Sequence, residues 1–111
     1  MWYKIFPAGA ATSTFSPTDL VATALGQCMV TVMGIKAQQW GKDLKECVVE
    51  VTKVMSSNPR RISEIELKII ISKVNFTDKE VQILENTAKS CPVAFSLHSE
   101  LNQKVLFNWI D

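Results

Sequence analysis

The sequence predicts an α+β fold, and three patterns carry that prediction. A capped apolar run over residues 16–40 indicates a long helix, and apolar–polar alternation after Cys47 indicates two paired strands. A capping box at Thr77 begins a second helical region, and a last alternating segment, 105–110, indicates a final strand. The predicted order is a short strand, a long helix, two strands, two helices and a strand.

The composition limits both the domain count and the classes of partner. The chain has 111 residues, is 47% hydrophobic and carries a formal net charge of +1. Such an apolar fraction supports a packed core, and the near-zero charge lacks the basic excess typical of proteins that bind nucleic acid. We expect a single domain over 1–111, with a shortened N-terminal strand and loop in 1–15 and the core in 16–111.

The first helix begins at the segment Ser-Pro-Thr-Asp of residues 16–19. This segment places serine at the N-cap, proline at the first helical position and an acid in the first turn. Lys36 is the only charged residue between Leu20 and Trp40, so the helix is apolar almost all round and is expected to be buried. A small monomer can hardly cover a helix about 35 Å long, at roughly 1.5 Å per residue.

Neither a signal peptide nor a membrane span is expected. The N-terminus lacks a charged segment followed by an apolar run and a cleavage site. The uncharged stretch from Leu20 to Ile35 is shorter than the roughly 20 residues that a membrane helix needs. Three cysteines without a secretory signal argue against a disulfide scaffold. We therefore expect a cytoplasmic protein with no membrane partner.

The later elements follow from local signals. The segments 47–55 and 65–71 alternate in polarity around a turn, which predicts an antiparallel hairpin with one wet face. The helix that begins after Thr77 carries Cys91 on its apolar face. Pro92 ends that helix and suits the first turn of a further short helix, which we expect to run to about Ser99.

The three thiols are the unusual functional groups of the sequence. Cys28 lies in the middle of the apolar helix, where a packed core cysteine is the commoner fate. Cys91 lies at a helix junction, where the positive end of the next helix dipole would lower its pKa, although a packed cysteine fits equally. Cys47 opens an amphipathic strand and is interpreted as structural.

Other site types have weaker support. His98 is the single histidine, and its spacing from Cys91 matches no zinc pattern, so no metal or other cofactor is expected. Arg60 and Arg61 follow a turn, where they are either solvated or aimed at an anion or a thiolate.

Two motifs resemble those of the OsmC/Ohr family, the osmotically induced protein C and organic hydroperoxide resistance proteins. Residues 16–28, SPTDLVATALGQC, look like the helix that carries the family's first cysteine, and residues 90–93, SCPV, look like its second cysteine motif. The two cysteines are 63 positions apart, close to the family's usual separation, and the order of elements between them also fits. The resemblance implies an intertwined homodimer in which two long helices pack centrally.

The resemblance also implies a thiol-dependent peroxidase that acts in oxidative stress defence. Carried over to this chain, Cys28 is the peroxidatic cysteine, which reduces an organic hydroperoxide or hydrogen peroxide and becomes a sulfenic acid. Cys91 is the resolving cysteine, which closes a Cys28–Cys91 disulfide that a dithiol or thiol reductant then opens.

The sequence departs from the family in the groups that hold the thiolate. Family members use an arginine of the N-terminal strands, which a glutamate orients in the hydroperoxide-specialised branch. None of the 15 residues before Ser16 is arginine, and Thr18 occupies the glutamate position with Asp19 next to it. Arg60 or Arg61 could substitute as the thiolate-stabilising cation.

Two other functions stay open beside the peroxidase. One is a catalytically weak or inactive dimer that binds a small molecule or responds to redox state. The other is a structural or interaction domain, with the two arginines and an exposed strand edge as its surface.

Overall fold

The computed structural model describes residues 3–7 and 16–111. Seven elements follow one another in the predicted order. They are β1 (Tyr3–Pro7), α1 (Pro17–Gln39), β2 (Cys47–Ser56), β3 (Arg61–Ser72), α2 (Asp78–Lys89), α3 (Pro92–Ser96) and β4 (Asn102–Ile110). The α+β prediction is therefore confirmed, whereas the loop expected before Ser16 lies outside the described residues.

The four strands form one sheet in the order β1-β2-β3-β4. Strands β2 and β3 pair antiparallel, which confirms the predicted hairpin, and β1–β2 and β3–β4 pair parallel. A parallel pair needs a crossover, and here α1 supplies the first crossover while α2 and α3 supply the second. The inward side chains of the two central strands are buried: Cys47, Val49, Val51, Ile65, Leu67, Ile69 and Ile71.

Helix α1 begins and ends where the sequence indicates. Ser16 caps it, because its Oγ accepts from the backbone N–H of Asp19 at 3.2 Å while the Asp19 carboxylate accepts from the N–H of Ser16 at 3.1 Å. Trp40 is the C-cap, and Gly41 follows with φ of 70°, a left-handed conformation that glycine adopts without strain. Both predicted boundaries are confirmed.

The helix lies against the sheet at Gly26. A Cβ there would stand 3.2 Å from Leu67 Cδ2 and 3.3 Å from one γ-methyl each of Val49 and Val51. Glycine therefore permits a close approach of α1 to the central strands, two residues before Cys28.

The opposite side of α1 is not covered by the described part of the chain. Leu20 is 59% exposed and Ile35 is 52% exposed, and Val21 and Ala24 are exposed between them. We call these four residues the α1 stripe. By length and mean hydropathy (1.5) α1 could cross a membrane, but 44% of that window is buried inside the protein and core helices pass the same test.

Helices α2 and α3 also begin at caps. Thr77 and Glu80 form the predicted capping box of α2, with Thr77 Oγ1 3.1 Å from the Glu80 nitrogen. Helix α3 ends at Ser96, three residues before the expected end, because Leu97 turns to an extended conformation and packs against the core.

Candidate active site

The fold brings two thiols together from distant parts of the chain. Cys28 is half-buried on α1, and Cys91 is fully buried at the start of α3. The two side chains are neighbours, because Cys28 adds to burial, the main cause, in raising the pKa of Cys91. Both cysteines are free thiols, so the described state is the reduced one.

Local sequence positions the Cys91 sulfur. Helix α2 ends at Ser90, and Pro92 occupies the first turn of α3, so Cys91 becomes the N-cap in an extended conformation. Its Sγ accepts from the backbone N–H of Ala94 at 3.4 Å. The helix junction thus aims the thiol inward, toward α1.

Burial outweighs the effect of the helix start on Cys91. Loss of solvent raises the pKa of the thiol, and the N–H groups of Ala94 and Val93 lower it by less. The expected lowering of its pKa is therefore wrong, because the expectation counted the helix end and missed the packed surroundings.

The third thiol lies in the core. Cys47 is 1% exposed at the start of β2, and burial raises its pKa to about 11. A thiol in these surroundings is almost entirely protonated at neutral pH, which is the behaviour of a packed structural cysteine.

The two arginines and the histidine lie at the surface. Arg60 is exposed in the β2–β3 turn, and the guanidinium of Arg61 contacts the Glu100 carboxylate at 3.4 Å. Exposed His98 accepts a hydrogen bond at Nδ1 from the N–H of Glu100, at 3.0 Å. Within the described part of the chain, no three His, Cys, Asp or Glu side chains cluster as metal ligands.

A half-buried lysine lies at the N-terminus of α1. Lys53, on the inward face of β2, contacts the Asp19 carboxylate at 3.1 Å. Its Nζ also donates to Ser16 Oγ at 3.1 Å and to Thr18 Oγ1. The N–H of Ser16, and after it Lys53, lowers the pKa of Asp19, so this carboxylate stays ionised at neutral pH.

A comparison with protein-family models identifies the family of this chain. The model described as OsmC-like protein matches residues 9–105, which include both cysteine motifs and most of the sheet. The chain belongs to the OsmC-like family. No curated protein matches it significantly.

Solved structures of OsmC-like and related proteins have the same fold. A Psychrobacter arcticus protein named for an osmotic stress induced and detoxification response is 45% identical, with a TM-score of 0.80 over 88% of this chain and 71% of its own. An organic hydroperoxide resistance protein OsmC of Legionella pneumophila has a TM-score of 0.69 at 15% identity, over 90% and 74% of the two chains. One from Elizabethkingia anophelis has 0.70 at 19%, over 93% and 74%. At such low identity the latter two show the fold alone.

This OsmC-like chain has one charged contact that the sequence interpretation missed. Lys53 meets Thr18 and Asp19, the region in which the resemblance located the family's glutamate. The signal was present, because Lys53 continues the inward series of Val49 and Val51 in β2. A lysine on the buried face of an amphipathic strand needs an acidic partner, and Asp19 supplies it.

Proposed function

We propose that this protein is a thiol-dependent peroxidase of oxidative stress defence, acting in the cytoplasm on organic hydroperoxides or hydrogen peroxide. The observation that carries the proposal is the interaction between the Cys28 and Cys91 side chains across α1 and α3. A peroxidatic thiol needs a second thiol within reach, so that its sulfenic acid closes to a disulfide before it oxidises further. Family membership supports the same chemistry.

The proposed reaction has three balanced steps. The Cys28 thiolate attacks one oxygen of the hydroperoxide, the O–O bond breaks, and the alcohol or water leaves with a proton while Cys28 becomes a sulfenic acid. Cys91 attacks the Cys28 sulfur, an S–S bond forms and water leaves. A dithiol or two thiols then reduce the disulfide by exchange, restoring both cysteines and leaving as the oxidised partner.

The assembly we propose is a homodimer that covers the α1 stripe. Leu20, Val21, Ala24 and Ile35 present small and apolar side chains along one side of an otherwise packed helix. A second copy running antiparallel would place a like surface on each stripe, as a two-fold interface requires. We expect Leu20→Lys to convert dimer to monomer in analytical ultracentrifugation, and Leu106→Lys, at an exposed leucine of β4, to leave the dimer intact.

The cation that stabilises the Cys28 thiolate is proposed to be Lys53 of the second copy. Thr18 and Cys28 are ten residues apart on α1, roughly 15 Å along the helix axis, so Lys53 does not reach Cys28 of its own chain. This requires the two antiparallel helices to overlap through their N-terminal halves, at Leu20, Val21 and Ala24 of the stripe, so that residue 18 of one α1 lies opposite residue 28 of the other. Arg60 and Arg61 are the competing candidates from the turn.

Turnover of hydroperoxide with a dithiol tests the function. We expect cumene hydroperoxide to be consumed catalytically by the native protein and not by Cys28→Ser. Cys91→Ser should lose turnover with a dithiol and accumulate the Cys28 sulfenic acid, which dimedone labels. Cys47→Ser is the matched control and should keep the native rate, and a native protein without turnover contradicts the proposal.

A redox-responsive protein without rapid turnover is the second candidate. The observation that favours it is the burial of Cys91, which raises its pKa and so lowers the fraction of Cys91 that is thiolate and able to attack. Such a protein would form one disulfide per chain after hydroperoxide treatment but would not turn over in the presence of a reductant.

A further inference from the structure

A cavity of about 370 Å³ lies between α1, the end of α2 and strand β4. It is lined by Met29, Lys89, Gln103 and Val105. Its volume is in the range of small-ligand sites. Met29 is fully buried and Lys89 is exposed, so the lining combines a core side chain of α1 with a surface cation.

The cavity walls are connected to the Cys91 sulfur. Gln103 Nε2 donates to the Ala94 carbonyl at 2.9 Å, and the N–H of Ala94 donates to Cys91 Sγ at 3.4 Å. Lys89 precedes Cys91 by two residues, and its ammonium lies 6.0 Å from the centre of the Phe107 ring. Ala94 of α3 therefore connects Gln103 of β4 to the Cys91 thiol through two hydrogen bonds, and Lys89 provides a positive charge two residues before Cys91.

We propose that this cavity admits the reductant, that Lys89 selects thiols carrying a negative charge, and that the incoming thiolate attacks the Sγ of Cys91. The inference rests on the proposed peroxidase function and adds the route and the chemical class of the reductant. In this proposal hydroperoxide meets the half-buried Cys28 on α1, and the reductant approaches the fully buried Cys91 from the cavity beside β4.

The exchange balances with a dithiol as the reductant. Its thiolate attacks Cys91 Sγ, the Cys91–Cys28 bond breaks, and Cys28 leaves with the electron pair. The second thiol of the reductant then attacks its own sulfur in the mixed disulfide, and Cys91 leaves and takes up a proton.

Reduction by thiols of different charge tests the inference. The disulfide form is prepared with hydroperoxide and is then reduced by anionic 3-mercaptopropionate, neutral 2-mercaptoethanol or cationic cysteamine. Each rate is divided by the concentration of reductant that is present as thiolate. We expect the anionic thiol to react about tenfold faster than the cationic one. Lys89→Glu should reverse this order, and Lys104→Glu, which makes the same charge reversal at an exposed lysine on the other face of β4, should preserve it.

Acid quenching and peptide mapping locate the first attack. A mixed disulfide of 3-mercaptopropionate on Cys91 supports the inference, and one on Cys28 overturns it, as does an unchanged charge preference in Lys89→Glu. If hydroperoxide forms no disulfide, the peroxidase proposal fails separately. In that case diamide is used to oxidise Cys28 and Cys91 to the same disulfide. Its reduction by the three thiols of different charge is then measured.

Discussion

The Cys28 side chain on α1 interacts with the Cys91 side chain at the start of α3, although 63 positions separate them in the chain. The contact depends on three local features: the Ser16 cap that begins α1, the Ser90–Pro92 junction that turns Cys91 inward, and the packing of α1 against α2 and α3. Two neighbouring thiols can give up two electrons and two protons to an oxidant and form a disulfide.

The resolving step should depend on pH beyond the usual thiol range. Burial raises the pKa of Cys91, so at a given pH less of it is thiolate than for an ordinary thiol. Disulfide closure should therefore accelerate with rising pH past about 8.5, where an unperturbed thiol is half ionised. Dimedone competition across this range measures closure, and a plateau below about pH 8 would contradict the assignment.

Cys47 should resist alkylation while the protein is folded. Its pKa of about 11 leaves about one thiolate in a thousand at pH 8, and it is 1% exposed. Iodoacetamide should label Cys47 at least about 100-fold more slowly in the native protein than in guanidinium. If iodoacetamide labels Cys47 as fast in the native protein as in guanidinium, the prediction is wrong. The start of β2 would then open readily to solvent.

Gly26→Ala should destabilise the fold. Alanine favours a helix over glycine by up to about 1 kcal/mol, but its methyl would press on Leu67, Val49 and Val51 at 3.2–3.3 Å. Overpacking typically costs about 1–3 kcal/mol, so we expect the free energy of unfolding to fall by about 1 kcal/mol in urea titrations.

A Gly26→Ala protein that is more stable than the native one would contradict this prediction. It would show that Leu67, Val49 and Val51 can move away from the added methyl without loss of packing energy.

Lys53→Met should slow oxidation of Cys28. If Lys53 contacts the reacting Cys28 sulfur across the dimer, its loss removes the positive charge beside the attacking anion, and the rate constant with hydroperoxide at pH 7 should fall about tenfold. Lys53→Arg keeps the charge and should retain most of the rate. Lys104→Met is the control, and a larger loss in Arg60→Met or Arg61→Met would assign the cation to the turn instead.

The sequence predicts the elements of this fold better than their pairing. Caps at Ser16 and Thr77 and the alternation after Cys47 are local signals, and the corresponding helices and hairpin are confirmed. The parallel pairing of β1 with β2 and of β3 with β4 depends on how whole helices cross the sheet. No short pattern encodes that geometry.

The candidate site also combines features that local sequence signals predict with features that depend on long-range packing. The motifs containing Cys28 and Cys91 are visible in the sequence, whereas the raised pKa of Cys91 arises from packing by distant residues. The contact of Lys53 with Asp19 joins β2 to the start of α1 across 34 positions. The alternation of β2 places Lys53 on the inward face but does not identify its partner.

Peptide mapping by mass spectrometry after one equivalent of hydroperoxide tests the central claim most directly. The account predicts a Cys28–Cys91 disulfide, a free Cys47 and the loss of two thiols per chain. Unmodified Cys28 and Cys91, or a disulfide that includes Cys47, would contradict it.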